Sequence, residues 1–189
     1  MSNITPLIGV FLLLFYRFFT LYIDMINNNK GMYIEELVNK TIEFYLTNNI
    51  CFLEKRNLPI KIIKKNNEVV IGKLLKKSYV DYFGFIDGKY ITFETKQTNE
   101  DFFMLSQLKK HQLEHLRLIS SLNGISFLIL HFFSYDKTYL IHYEEIEKFV
   151  LKKKKKLLLN DLIKSKTDNI KELNILFPGI LNLYEKIKQ

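Results

Sequence analysis

Tryptophan is absent from this 189-residue chain, which holds one cysteine, three prolines and seven glycines. The single Cys51 excludes an internal disulfide framework and suits a reducing, cytoplasmic setting. It lies in the apolar run Ile50–Leu53, where a small buried hydrophobe is expected. Scarce glycine and proline beside abundant Asn, Lys and Ile are marks of translation from an AT-rich genome. The net charge of +8 carries less weight for that reason. It still points to a polyanionic partner, nucleic acid before anionic membrane. A hydrophobic share of 48% with 14% aromatics excludes a disordered chain. The length suits one domain with a substantial core, and no internal repeat is present.

Residues 6–26 are the oddest segment, an apolar run with Arg17 inside it. A signal peptide would need a basic leading region and a small-residue cleavage site, and neither is there. A membrane span of about 20 residues would place Arg17 near mid-bilayer, at a cost. The third reading, favoured here, is that residues 1–26 form an extension outside the natural product, with Met25 or Met32 as a start. A genuine anchor or a packed helix are its competitors. Residues 27–189 are then a single domain with no stable membrane association.

Apolar residues at helical spacing predict a helix over 33–48, carrying Ile34, Leu37, Val38, Ile42, Tyr45 and Leu46. Strands are expected at 50–53, 60–63 and 69–75, with Asn66-Asn67 turning between the last two. Lys55, Arg56, Lys61, Lys64, Lys65, Lys73, Lys76 and Lys77 make this part strongly basic. It reads as a solvated face or as a ribbon tracking phosphates. A polar connection over 97–101 precedes a helix from Ser106 to Leu122, with a stripe of Leu108, Leu116, Ile119 and Leu122. The nearly continuous apolar run 125–133 is expected as a strand buried on both faces. A strand over 138–143 and a helix over 144–150 follow. The five lysines 152–156 read as a solvated linker. Pro178 precedes a last helix carrying Ile180, Leu181, Leu183, Tyr184 and Ile187.

The stretch Tyr79–Lys96 carries the chemistry. Asp87-Gly88 between alternating apolar runs is a strong hairpin signal, because a type I′ turn needs positive φ at both central residues. The register follows: Ile86 opposes Lys89, Phe85 opposes Tyr90, and Asp81 opposes Glu94. Extended one step further, Tyr79 faces Lys96. Strand alternation puts Lys96 on the face of Glu94. Two opposed carboxylates repel unless a cation lies between them. The pattern Asp–x12–Glu–x–Lys therefore suggests a divalent-metal site for phosphodiester hydrolysis. Hard oxygens hold Mg²⁺, and a lysine beside it positions water or steadies phosphate charge. A surface ion pair between Glu94 and Lys96 is the plainer reading.

The order of motifs makes the comparison specific. Asn29-Lys-Gly-Met32 with Glu35, Val80-Asp-Tyr-Phe-Gly84, Gly88-Lys-Tyr-Ile-Thr-Phe-Glu-Thr-Lys96, and His111-Gln-Leu-Glu-His115 before Gly124-Ile125 occur in sequence. The chain resembles the PD-(D/E)xK, restriction-endonuclease-like superfamily and, within it, the RecU family of Holliday junction resolvases. The resemblance covers residues 27–150 well and the region 178–184 loosely. It implies an α/β fold with a mixed central sheet flanked by helices and a projecting basic ribbon, the stalk, at about 59–77. It implies Mg²⁺, with Mn²⁺ a plausible substitute, held by Asp81 and Glu94. Lys96 would be the transition-state stabiliser, Gln112 would contribute to the metal site through water, and Glu35 would face the same site. Where the family carries a threonine that reaches the metal, this chain has Tyr79. That contact is then lost, replaced by a main-chain carbonyl, or supplied by Ser78. The family's arginine before Gly-Met is Lys30 here, which keeps charge but loses bidentate phosphate binding. Lys30, Lys61, Lys64, Lys65, Lys73, Lys76 and Lys77 would meet DNA. The implied function is Mg²⁺-dependent resolution of four-way junctions by a homodimer in recombination and repair, with recombination proteins as partners. Another nuclease of the superfamily, or a junction-binding protein without cleavage, are the alternatives.

One rival motif is present. His111-Gln-Leu-Glu-His115 fits the inverted zinc-peptidase pattern, both histidines on one helix face. It needs a third ligand, and His131 and His142 fall in expected strands with no acid placed to complete the set.

Overall fold

The computed structural model describes residues 32–57, 59–67, 69–75 and 79–188, with the Leu74 side chain set aside. The expectations for residues 1–26, Lys30, Lys76, Lys77 and Ser78 fall outside the described residues. Among those described, no helix is long and apolar enough to cross a membrane.

Helix α1 (Tyr33–Thr47) follows its sequence pattern. Ile34, Leu37, Val38, Ile42 and Tyr45 are buried, while Leu46, one step off the stripe, is exposed. Glu35 and Glu36 lie in the first turn, where the helix dipole favours acids. Thr41 and Tyr45 serve the far end of the chain. Thr41 Oγ1 accepts from the Leu181 amide at 2.9 Å, and the Tyr45 hydroxyl donates to the Leu181 carbonyl at 2.7 Å.

A six-stranded sheet lies beside α1, in the order β1 (Phe52–Lys55), β4 (Tyr82–Ile86), β5 (Lys89–Thr98), β7 (Ile125–Phe132), β8 (Lys137–His142) and β10 (Ile170–Leu173). β5 and β7 run parallel and the other neighbours antiparallel. Asp87 and Gly88 both have positive φ, 49° and 77°, so the β4–β5 turn is of the expected kind. Its register pairs Ile86 with Lys89, Phe85 with Tyr90 and Tyr82 with Phe93.

β7 shows why its sequence is continuously apolar. Phe127 and Ile129 enter the core under α1, and Leu128 and Leu130 enter a second core on the other face. Tyr82, Phe93 and Phe127 form a ring stack with centroids 4.7 and 4.8 Å apart. The second core is closed by helix α2 (Lys110–Ser121), helix α3 (Tyr143–Leu151) and a short pair, β6 (Phe102–Met104) with β9 (Lys156–Leu158). Helix α4 (Leu159–Ile163) follows β9. A separate antiparallel ribbon, β2 (Ile60–Asn66) with β3 (Val69–Leu74), is exposed along its described side chains.

Four expectations are corrected. β5 runs through Gln97 and Thr98 because parallel β7 pairs them with His131 and Phe132. α2 starts at Lys110, after a 3₁₀ turn at Leu105–Gln107 that holds Ser106, and Leu122 beyond its end is exposed. Leu108 belongs to the second core before the helix begins. Ile180 and Leu181 form strand β12 against β11 (Ile175–Leu176), and only Leu183–Lys188 is helical, as α5. Cys51 is half-buried against the α1 core, and burial pushes its thiol up to about 11.

His131 gives this fold a pH dependence. It is 2% exposed on β7, 2.9 Å from the Thr138 hydroxyl, with its ring against Tyr33 and Phe133. Burial drives its pKa from 6.5 down to about 4. The unfolded chain therefore takes up a proton below pH 6.5 that the folded chain refuses until pH 4. Stability is full above 6.5 and falls through that window by about 3 kcal/mol from this group. Urea denaturation of wild type and His131→Asn at pH 7 and pH 4.5 should show a smaller acid loss in the variant. Equal losses would remove His131 from the acid response.

Candidate active site

The β4–β5 ladder ends at Tyr82 and Phe93, and Asp81, the residue before Tyr82, lies near enough to act on the Glu94 carboxyl. Asp81 is fixed at the main chain, where its carbonyl accepts from the Arg56 amide at 2.7 Å. Glu94 is fully buried. Its Oε1 accepts from the Lys96 ammonium, two residues along the same strand face, and from Gln112 Nε2 at 2.6 Å. Its Oε2 is buried with no hydrogen-bond partner. Burial pushes the Glu94 carboxyl up from 4.5 to about 7; Lys96 lowers it and Asp81, facing it, raises it.

Gln112 reaches the site from the first turn of α2. Its Oε1 accepts the Lys109 amide at 2.9 Å, which turns its NH₂ toward Glu94. This is the reciprocal half of a capping box; Lys109 has no acceptor for the other half. One side chain thus caps a helix and holds a site carboxylate.

Glu35 pairs with Lys55 at 2.7 Å. With Thr95, Lys96 and Gln97 it lines a cavity of about 360 Å³. The Tyr82 hydroxyl beneath it donates to Asn39 at 3.1 Å. Tyr79 does not face Lys96. The ladder stops at Tyr82, Val80 turns inward against Leu116 and Tyr143, and the Tyr79 ring stacks on His115 at 5.3 Å.

Arg56 is the neighbour that sequence reasoning missed. Its guanidinium lies 4.7 Å from the Phe83 ring centroid and 3.4 Å from the Tyr90 hydroxyl. The only sequence signal was its place in a basic run after a strand. Lys61, Lys64, Lys65 and Lys73 are exposed on the β2–β3 ribbon, where Lys61 faces Lys73 across the ladder. Like charges so placed destabilise a ribbon that meets no anion.

The family model described as "Recombination protein U" matches residues 29–189. The chain belongs to the Recombination protein U family. A curated relative from Ureaplasma parvum serovar 3, named Holliday junction resolvase RecU, is 39% identical over 163 residues, covering 86% of this chain and 94% of that one. Relatives of the same name from Bacillus thuringiensis (strain Al Hakam) and Bacillus cereus (strain AH820) are 37% identical over 129 residues. Those matches cover 65% of this chain and 64% of each relative.

A family of resolvase nucleases implies a divalent cation, and the Recombination protein U site can be tested for fit. Glu94 Oε2 is a buried carboxylate oxygen without a hydrogen-bond partner, in a carboxyl that also feels the charge of Asp81. Buried charge is tolerated when it meets a cation. The donors are hard oxygens, which suit a cation that keeps several waters. No group of three or more His, Cys, Asp or Glu gathers among the described residues. Of the zinc-peptidase pattern, His115 stacks on Tyr79, and the candidate third ligand His131 is buried beside Thr138. The oxygen donors on this face are compatible with a divalent cation.

Proposed function

We propose that this chain resolves four-way DNA junctions by Mg²⁺-dependent hydrolysis of phosphodiester bonds in recombination and repair. The observation that carries the reading is Glu94, buried with Oε2 unpartnered between Lys96, Gln112 and Asp81, in a chain of this family. Asp81 and Glu94 would hold the cation. When bound, it supplies a water of lowered pKa and neutralises charge building on the phosphate. Gln112 keeps the Glu94 carboxylate in one orientation by tying Oε1 to the α2 cap. Lys96 would steady the negative charge that gathers on the attacked phosphate. Glu35 lines the same cavity as Lys96 and would face the reaction from there.

The parallel β5–β7 pair with α2 between them is read as a restriction-endonuclease-like core. Residues 27–189 are read as one nuclease domain, and the β2–β3 ribbon as a stalk entering the junction. A four-way junction has approximate two-fold symmetry, and a C2 homodimer would supply two opposed nicks. Incubation with a synthetic junction and Mg²⁺ should give paired nicks and no cut in a linear duplex of the same sequence. Cutting of the linear duplex alone would favour a restriction or repair nuclease, and binding without nicking at any divalent ion would leave only a junction-binding protein.

The ribbon yields a separate prediction. Replacing Lys61, Lys64, Lys65 and Lys73 with Gln should weaken junction binding on the order of 10- to 100-fold near physiological salt. The slope of log affinity against log salt should shrink by about 3 to 4. Titration of a fluorescent junction at several salt concentrations measures both; an unchanged slope would remove these lysines from the interface.

A further inference from the structure

The five lysines 152–156 read as a solvated linker from sequence, but the fold holds them in a fixed turn. Lys152 caps α3, and Lys153 takes φ 54°, a left-handed conformation where Gly or Asn is usual. The Lys153 amide donates to the Val150 carbonyl at 2.9 Å, and the Lys154 amide to the Phe149 carbonyl at 3.0 Å. The Lys155 carbonyl accepts from the Leu105 amide at 3.0 Å, and Lys156 pairs with Met104 in the β6–β9 ladder. Two of the five ammoniums are engaged with the protein. That of Lys154 meets Asp161 at 3.1 Å, and that of Lys156 lies 3.6 Å from the Phe102 ring centroid. Lys152, Lys153 and Lys155 remain exposed.

This turn is joined to the candidate active site by a short path. Leu105, bonded to Lys155, opens the 3₁₀ turn that leads to Lys109. The Lys109 amide holds Gln112, and Gln112 holds Glu94. In strand order the ribbon leaves from β1, on one side of the β4–β5 site. The lysine turn follows the helix that packs on β7 and β8, on the other side. Like charges gathered in a pinned turn repel one another, and a partner that carries closely spaced negative charge relieves the repulsion.

We infer that Lys109, Lys152, Lys153 and Lys155 form a second phosphate track. It takes the backbone of a duplex arm on the side of Glu94 away from the β2–β3 ribbon. The inference rests on the reading of this chain as a junction nuclease and adds where an arm lies. Each strand of a duplex carries a phosphate about every 3.4 Å of helix axis, so the three ammoniums of the turn can meet one stretch of backbone.

The test is a full-length variant, Lys152→Gln/Lys153→Gly/Lys155→Gln, titrated against wild type on synthetic four-way junctions. Glycine at 153 suits the left-handed turn, so the thermal midpoint should hold or rise while binding weakens. On junctions with arms of about 20 base pairs, the log–log salt slope should fall by 2 to 3 and affinity on the order of 10-fold. On junctions with arms too short to reach the turn, variant and wild type should bind alike. Unchanged slope and affinity on long arms, in a chain that binds junctions, overturns the track alone. Equal weakening on short and long arms also overturns it. If wild type binds no junction at any salt, the proposed function falls and the track with it. Should the triple variant lose its thermal midpoint, Lys152→Gln and Lys155→Gln singly must each lower the slope by about 1, or the track is wrong.

Discussion

Glu94→Gln is expected to abolish junction nicking while leaving the protein folded. Glutamine keeps the shape of the side chain and can still meet Gln112 and Lys96, but it removes the charge that a cation needs. Loss of one such electrostatic group commonly costs 10²- to 10³-fold in rate, and loss of a metal-holding carboxylate is expected at about the upper end or beyond. Stability should move the other way. The wild-type carboxylate is fully buried with one oxygen unpartnered, which is a cost in the cation-free protein. The variant's denaturation midpoint without divalent ions should equal or exceed that of wild type. Adding Mg²⁺ should raise the wild-type midpoint by mass action and leave the variant's unchanged. Single-turnover nicking and thermal scans with and without Mg²⁺ measure these effects. Nicking within 10-fold of wild type would falsify the assignment of Glu94.

Gly84→Ala should be the most damaging small substitution in the sheet. A β-carbon there would stand 2.0 Å from the Phe52 carbonyl oxygen and 2.7 Å from Leu53 Cα. Both are backbone atoms of β1, so no rotamer change relieves the clash, and the strand must move. Overpacking of this kind costs about 3 kcal/mol, and more where backbone is displaced. β1 leads directly to Arg56, whose amide holds Asp81, so nicking should fall together with stability. Gly88→Ala is the internal comparison. Its φ of 77° carries strain, but a β-carbon would meet nothing within 4 Å. It should cost only about 1 kcal/mol. Urea denaturation of both variants gives the order; a milder effect at Gly84 than at Gly88 would show that β1 yields easily.

How much of this was legible from residues alone depends on the range of the signal. The Asp87-Gly88 turn fixes backbone dihedrals within two residues, and alternation carries the register outward from it. Asp81 against Glu94, with Lys96 on the same face, follows without any knowledge of the rest of the chain. The α1 stripe is equally local, because helical spacing alone decides which residues face inward. Tyr79 lies beyond the reach of that logic. The ladder ends at Tyr82, where Val80 finds a pocket formed by Leu116 and Tyr143, residues far away in sequence. Ile180-Leu181 has helical spacing with Leu183 and Tyr184, yet hydrogen bonds to Thr41 and Tyr45 hold it extended.

The chain's own pattern determined the hairpin, its carboxylate pair and the lysine beside them, because turn dihedrals and strand alternation act over a few bonds. Tertiary structure decided three things. It set the burial of Glu94 to the point of leaving one oxygen unpartnered. It set the start of α2 so that Gln112 closes on that carboxylate. It folded Lys152–Lys156 into a pinned turn on the same path. Each depends on contacts between segments distant in sequence, and such contacts exist only once the sheet and its two cores have formed.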